Sequence, residues 1–106
     1  AEARGLRGVS VLKLGRTRPG PAGVEALAAS GVLAGVRWLD LSANRLGPVA
    51  VRRLAESRQA RGLRLLDLGE NPVGDTGAAA LAASPHLAGL VELDLRDAGV
   101  KDAGMI

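Results

Sequence analysis

A repeat of 27 residues is the feature that most constrains what this chain can fold into. Blocks that begin at Gly8, Gly35, Gly62 and Gly89 align without insertion or deletion. Three leucine columns stay in register through the blocks: Leu12, Leu39, Leu66 and Leu93; Leu14, Leu41, Leu68 and Leu95; and Leu27, Leu54 and Leu81. A unit of this length cannot bury its own apolar face, so its repetition predicts a stacked array.

Each block contains two patterns of hydrophobic residues with different periodicities. A short Leu-x-Leu segment has the alternation of a half-buried strand, and a segment such as residues 74–84 has the pattern of a helix. Pro21 and Pro48 stand where a first helical turn tolerates proline, and Asp75 is a candidate helix cap. Strands that recur every 27 residues with a helix between them lie in parallel, so the sequence predicts a β/α solenoid.

The consensus LxxLxLxxNxL, at residues 36–46 and 63–73, resembles the signature of leucine-rich repeat proteins. The repeat length, Gly77 after the turn, and a Leu-Ala-x-Ser segment at each helix end are similar to the ribonuclease-inhibitor-like subclass. The resemblance implies an α/β fold, a right-handed solenoid that forms part of a horseshoe, with a parallel sheet on the concave face and helices on the convex face. It also implies a non-enzymatic module that binds proteins.

The repeat boundaries predict one leucine-rich repeat domain over residues 1–106. Residues 8–34, 35–61 and 62–88 are complete repeats, whereas 89–106 are a partial repeat and 1–7 the end of a preceding one. Because solenoid ends need polar caps, we expect the chain to be an excerpt of a longer array. Leu93, Leu95 and Val100 would lack a covering helix, which predicts self-association through the C-terminal edge.

One column of the repeat belongs to the turn that follows each strand. Asn44 and Asn71 are the predicted structural asparagines, whose amides satisfy backbone groups of the turns. Thr17 and Ala98 occupy the same column in the first and last blocks. The ladder of asparagine side chains is therefore expected to break at both ends, with looser turns there.

Composition restricts the chemistry that the chain can perform. It has no cysteine and a single histidine, His86, so no thiolate site and no metal site built from several histidines can form within it. Residues 69–76 match a phosphate loop except at Asp75, whose carboxylate would repel phosphate. We expect no cofactor and no metal, and a solvated face rather than a calcium cage explains the acidic residues of the last two blocks: Asp67, Glu70, Glu92, Asp94 and Asp97.

Charge and hydropathy restrict the partners. Residues 1–61 hold eleven Lys or Arg against four Asp or Glu, and residues 62–106 hold three against seven. The arginines at positions 52, 53, 58, 61 and 64 share no face, and no aromatic platform accompanies them, so nucleic acid is not an expected partner. The uncharged stretch 26–36 is too short for a membrane span; neither insertion nor secretion is indicated, and a cytoplasmic location is favoured.

Strand parity defines the candidate binding face. If Leu39 and Leu41 point into the core, Trp38, Asp40 and Ser42 point to the concave surface. Trp38 is the only aromatic residue, and exposed tryptophan is frequent in binding hot spots. The predicted protein-binding residues are Val11, Lys13, Trp38, Asp40, Leu65, Asp67, Glu92, Asp94 and Arg96.

One column of the sheet consists of Lys13, Asp40, Asp67 and Asp94, and its three carboxylates repel one another across neighbouring strands. A basic partner would relieve this repulsion and is therefore predicted. Lys13 can neutralise Asp40 and Arg96 can reach Asp94, but Asp67 has no evident partner. Two alternatives stay open at the site: hydrated aspartates with no ligand, and a Trp38 covered by an adjacent residue or by a flanking segment.

Two alternative functions stay open as well. In the same subclass, Ran GTPase-activating protein uses an arginine in a loop after a concave strand, and Arg45 follows its strand in a comparable place. Arg18 occupies the equivalent column in the first block, which also fits a solvated turn residue. A regulator of GTPase catalysis is thus one alternative, and a structural spacer within a longer array is the other.

Overall fold

The computed structural model describes residues 10–99, apart from the side chain of Pro21. Strands and helices alternate along the chain. The elements are β1 (Val11–Lys13), α1 (Gly20–Ala28), β2 (Trp38–Asp40), α2 (Pro48–Ala55), β3 (Leu65–Asp67), α3 (Gly74–Ala83) and β4 (Glu92–Asp94), with 3₁₀ turns at Leu33–Gly35, Arg58–Gly62 and Pro85–Leu87.

The four strands form one parallel sheet in the order β1-β2-β3-β4. Val11 pairs with Trp38, Trp38 with Leu65, and Leu65 with Glu92, so each strand sits one repeat length beyond its neighbour. The predicted α/β alternation and parallel sheet are confirmed. The sheet is open, and its architecture is compatible with a solenoid.

The core lies between the sheet and the helices. Leu39 and Leu66 point inward from β2 and β3, and Leu54 points toward them from α2; each is at most 1% exposed. Burying a leucine side chain to this degree contributes about 1.5–3 kcal/mol, and the repeat provides such leucines in the two central levels of the stack. Burial weakens toward the ends of the described region, where Leu12 is partly exposed and Leu93 is 37% exposed.

Spacing explains how the helices cover the sheet. In α2 the residues at positions 50, 51, 54 and 55 are buried, which is the three-and-four spacing of one helix face. Pro48 opens this helix in its first turn, as predicted. The predicted cap at Asp75 is wrong: α3 begins at Gly74 after Val73, without a side-chain cap, and Asp75 lies inside the first turn, where a carboxylate favours the helix dipole.

The asparagine ladder is present in the two central turns. The Asn71 carbonyl oxygen accepts from the Asn44 and Leu46 amides at 2.9 and 3.0 Å, and its amide group donates to the carbonyls of residues 41, 68 and 69. Asn44 accepts in the same way from the Arg18 amide at 2.7 Å. Each asparagine thereby satisfies backbone groups of its own turn and of the preceding one.

The ends of the ladder differ from each other. Thr17 Oγ1 donates to the Leu14 carbonyl at 2.7 Å, which retains one local bond of the asparagine. Ala98 is buried and has no polar side chain, and there the Gly74 amide donates to the Ala98 carbonyl at 2.9 Å. The predicted loss of the side-chain ladder is therefore seen at Ala98, while Thr17 replaces part of it; the looseness of these turns stays a prediction.

Candidate protein-binding face

Strand parity places the predicted residues where the sequence indicated. Trp38 is 37% exposed and Val11 44% exposed, while Leu39, their core-facing neighbour, is fully buried. Leu65 is half-buried and Glu92 exposed in the same column. After the predicted horseshoe, we call the outward side of the sheet the concave face; it is built on Val11, Trp38, Leu65, Glu92 and the column Lys13, Asp40, Asp67, Asp94.

A positively charged side chain lies over the aromatic ring of Trp38. The Lys13 ammonium lies 4.9 Å from the ring centroid, within the range of a cation–π contact. The prediction that Lys13 neutralises Asp40 is therefore wrong for this arrangement, since no ion pair joins these two residues in the part of the chain that the structure describes. Lys13 instead extends from β1 across the face of its neighbour in β2.

The aspartates of the second column share one local conformation. Asp40, Asp67 and Asp94 each accept, through Oδ1, the backbone amide two residues ahead, at 2.9, 2.9 and 3.0 Å. These bonds hold each carboxylate at the end of its strand, directed to the same side of the sheet. The recurrent aspartate thus has a structural role in the turn that periodicity alone did not reveal, and the same bonds fix the charges in a row.

The three carboxylates differ electrostatically. Arg96 forms a two-pronged contact with Asp94, with Nη2 to Oδ2 at 2.8 Å, as predicted. Hydrogen bonds from Arg96 hold the pKa of Asp94 below its ordinary value, and the side-chain bond to Asp94 raises the pKa of Arg96. Burial raises the pKa of Asp67, with further contributions from the charges of Asp94 and Asp40.

Asp67 lies between two like charges, Asp40 and Asp94, in this row. Its only hydrogen bond within residues 10–99 comes from the Gly69 amide, and it forms no ion pair there. Two adjoining hollows on the concave face share Asp67 and Asp94. The first, which we call the Trp38 hollow, is lined by Trp38, Leu65, Leu66, Asp67, Glu92 and Asp94; the second is lined by Ser42, Asp67, Gly69, Glu70, Asp94, Arg96 and Asp97.

Several other predicted features lie away from this face. Arg52 and Arg53 are exposed on α2 and pair with Glu56, and Arg53 also lies 3.8 Å from Glu25 of α1. His86 lies in a 3₁₀ turn, with its amide bonded to the Ser84 hydroxyl at 3.2 Å. No cluster of His, Cys, Asp and Glu suited to a metal ion occurs in residues 10–99, and no helix there is long and apolar enough to cross a bilayer.

Arg45 is exposed in the turn after β2 and has a left-handed backbone, with φ of 59°. Arg18 has the same conformation one repeat earlier, with φ of 51°. The two positions are therefore equivalent parts of a repeated turn. Regulation of a GTPase through Arg45 stays a hypothesis that no contact in the described region favours.

The serine at each helix end has a second structural role that the sequence did not reveal. Ser57 and Ser84, at the helix ends, each donate from Oγ to a carbonyl of the preceding repeat, at Ala28 and Ala55 respectively. Each hydroxyl also accepts an amide at the start of the next 3₁₀ turn. The recurrence of serine in this column was visible, but its partners lie one repeat away and depend on the stacking.

Comparison with known proteins supports the repeat. Residues 61–82, which include β3 and most of α3, match the family model described as Leucine Rich repeat. No curated protein matches the chain. The chain therefore contains a leucine-rich repeat, a type of unit that generally mediates protein–protein interaction and is generally not enzymatic.

Proposed function

We propose that residues 1–106 form a single leucine-rich repeat domain of the ribonuclease-inhibitor-like kind, a right-handed segment of a horseshoe, whose concave face binds a protein. The observation that carries this proposal is the exposure of Trp38. A large aromatic side chain stands 37% exposed in the middle of the sheet, between Val11 and Leu65, although the adjacent Leu39 is completely buried. Exposed apolar patches of this kind mark interaction sites.

The sheet is suited to recognition because its side chains are already positioned. Trp38 is held between two paired strands, and the aspartates are fixed by hydrogen bonds to their own turns. A preformed surface loses little conformational entropy when a partner binds, so more of the contact energy appears as affinity. Trp38, Val11 and Leu65 would then act as the apolar anchor of the interface.

The charges around this anchor favour a basic partner. Asp40, Asp67 and Asp94 form one row beside the apolar column, and Glu92 continues the acidic surface at β4. Asp94 is compensated by Arg96, but the pKa of Asp67 is raised by burial and by its acidic neighbours. A positively charged group supplied by a partner would relieve this repulsion and would also increase the rate of association.

The experiment that tests the proposal compares Trp38→Ala with a matched control. Val49, on α2, is 60% exposed and lies away from the sheet, so Val49→Ala also shortens an exposed apolar side chain. Partners are captured on the immobilised native chain and both variants, and are quantified by mass spectrometry. We expect a set of proteins retained by the native chain and Val49→Ala and lost with Trp38→Ala. An identical set on all three would contradict the proposal and favour the spacer alternative.

A further inference from the structure

The Trp38 hollow combines an apolar surface and an acidic one. Its floor is apolar, formed by Trp38 and Leu65, and its margin carries the carboxylates of Asp67, Glu92 and Asp94. A wholly apolar ligand would leave these carboxylates desolvated and unpaired, and a small ion would leave the floor exposed to water. The complementary shape is a long side chain with an apolar stem and a cationic end.

The contact between Lys13 and Trp38 shows that the Trp38 ring already binds a cation within this chain. The Lys13 ammonium is held over the Trp38 ring from the side of β1. The hollow extends from the same ring toward β3 and β4, where the acidic residues lie. The ring therefore accepts a cation, and the negative charges that would hold a second cation lie on the opposite side from Lys13.

Asp67 is the more available of the two aspartates in the hollow, and it is less exposed than Glu92. Asp94 is already engaged by both prongs of Arg96, whereas Asp67 accepts only the Gly69 amide within the described residues. Asp67 lines both hollows. A group bound to it from the Trp38 hollow would therefore also contact the floor formed by Trp38 and Leu65.

We propose that the Trp38 hollow receives an arginine side chain of the protein partner, with its methylenes on Trp38 and Leu65 and its guanidinium on Asp67. The inference rests on the proposed function and specifies its partner. Arginine is favoured over lysine because its planar guanidinium binds carboxylates through two hydrogen bonds and is more weakly hydrated than an ammonium.

Trp38 makes the test direct, because it is the only tryptophan and the only aromatic residue. The native chain is titrated with blocked tri-arginine while the Trp38 emission is recorded. Blocked tri-citrulline, which retains the shape without the charge, and blocked tri-lysine are titrated in parallel. We expect a saturable change with tri-arginine, weaker binding of tri-lysine, and no saturable change with tri-citrulline.

Two charge-matched variants locate the site. Asp67→Asn removes the proposed partner of the guanidinium, and Glu56→Gln removes one negative charge from the helical side, where Glu56 pairs with Arg52 and Arg53. We expect Asp67→Asn to weaken tri-arginine binding about tenfold and Glu56→Gln to change it by less than about twofold. Equal weakening by both variants, equal affinity for tri-lysine, or no response to tri-arginine would overturn the inference.

The outcome for the arginine site is separable from the outcome for the proposed function. Loss of captured proteins with Trp38→Ala, together with no binding of tri-arginine, would retain protein binding on the concave face and reject the arginine site. Specific binding of tri-arginine, together with identical captured proteins on the native chain and Trp38→Ala, would reject the proposed function instead.

Discussion

Single side chains hold the turns of this molecule together, and Asn71 does so most extensively. Its carbonyl oxygen and amide group together contact backbone atoms of five residues across two successive turns. The side chain is 1% exposed, so water cannot replace these partners if it is removed. Buried backbone groups left without partners cost far more than the net value of a hydrogen bond.

Replacement of Asn71 by alanine should therefore destabilise the chain severely. We expect the free energy of unfolding to fall by about 2–4 kcal/mol, since several buried donors and acceptors lose their partner. Thr17→Ala, at the same repeat position, removes a single exposed hydrogen bond and should cost less than about 1 kcal/mol. Urea unfolding followed by circular dichroism measures both values, and equal losses would contradict the assignment of the ladder.

The aspartates of the concave face predict opposite effects of pH. The pKa of Asp94 is lowered in the folded chain, so its contribution to stability is present above the ordinary value of 3.8 and is lost as the pH falls through the folded pKa. The pKa of Asp67 is raised, so its contribution is present below 3.8 and is lost as the pH rises through the folded pKa.

At neutral pH we therefore expect Asp94→Asn to be less stable than the native chain and Asp67→Asn to be as stable or slightly more stable. The Asp67→Asn difference should shrink when urea midpoints are measured below pH 3.8, the ordinary aspartate value, whereas the Asp94→Asn difference should shrink only as the pH falls through the lower folded pKa of Asp94. An Asp67→Asn variant that is clearly less stable at neutral pH would show that its bond to Gly69, rather than charge repulsion, dominates.

Whole elements followed from the sequence more reliably than the contacts between them. The 27-residue period predicted the parallel order of strands, and strand parity placed Trp38, Leu65 and Asp67 on the concave face. Periodicity determines which side chains share a column but not how long side chains cross between columns. For that reason the sequence predicts that Lys13 neutralises Asp40, whereas in the structure the flexible Lys13 side chain places its ammonium over Trp38.

The backbone of the turns was the least predictable element. Arg16, Ala43, Glu70 and Asp97 all adopt left-handed conformations, with φ between 55° and 59°, which non-glycine residues rarely adopt. Hydrogen bonds to the turn of the next repeat offset the cost of this conformation. The Ala43 amide donates to the Gly69 carbonyl and the Glu70 amide to the Arg96 carbonyl, both at 2.9 Å. The conformation follows from stacking, so the residue types give no signal for it.

The packing around the start of α3 depends on the small size of Gly77. A Cβ atom there would lie 2.6 Å from Val73 Cγ1 and 3.5 Å from Pro48 Cα. Gly77→Val should thus force the buried Val73 side chain to shift, and Ala79→Val is its control, because position 79 is exposed on the same helix. We expect Gly77→Val to be less stable than the control by roughly 1–3 kcal/mol in thermal or urea unfolding. Similar stabilities would mean that the packing adjusts without cost.

Across the whole molecule, burial is unequal along the stack of strands. The core-facing leucines of β2 and β3 are 0% and 1% exposed, but Leu93, which occupies the same register position in β4, is 37% exposed. An open parallel sheet also presents unpaired backbone groups along its edge strand, where another strand can add. Exposed apolar surface beside such an edge favours association with a second copy.

We propose that the chain self-associates through β4, and sedimentation velocity over a range of concentrations tests this. The native chain should show larger species as its concentration rises, because contact with a second copy removes Leu93 from water. Leu93→Thr should shift this behaviour to higher concentration, since it removes apolar surface at the edge while retaining a β-branched residue suited to a strand. Val91→Thr makes a comparable change at a side chain that is 79% exposed but precedes the strand, and it should behave like the native chain. A single monomeric species at every concentration would contradict the proposal, whereas equal effects of the two variants would place the contact elsewhere than on β4.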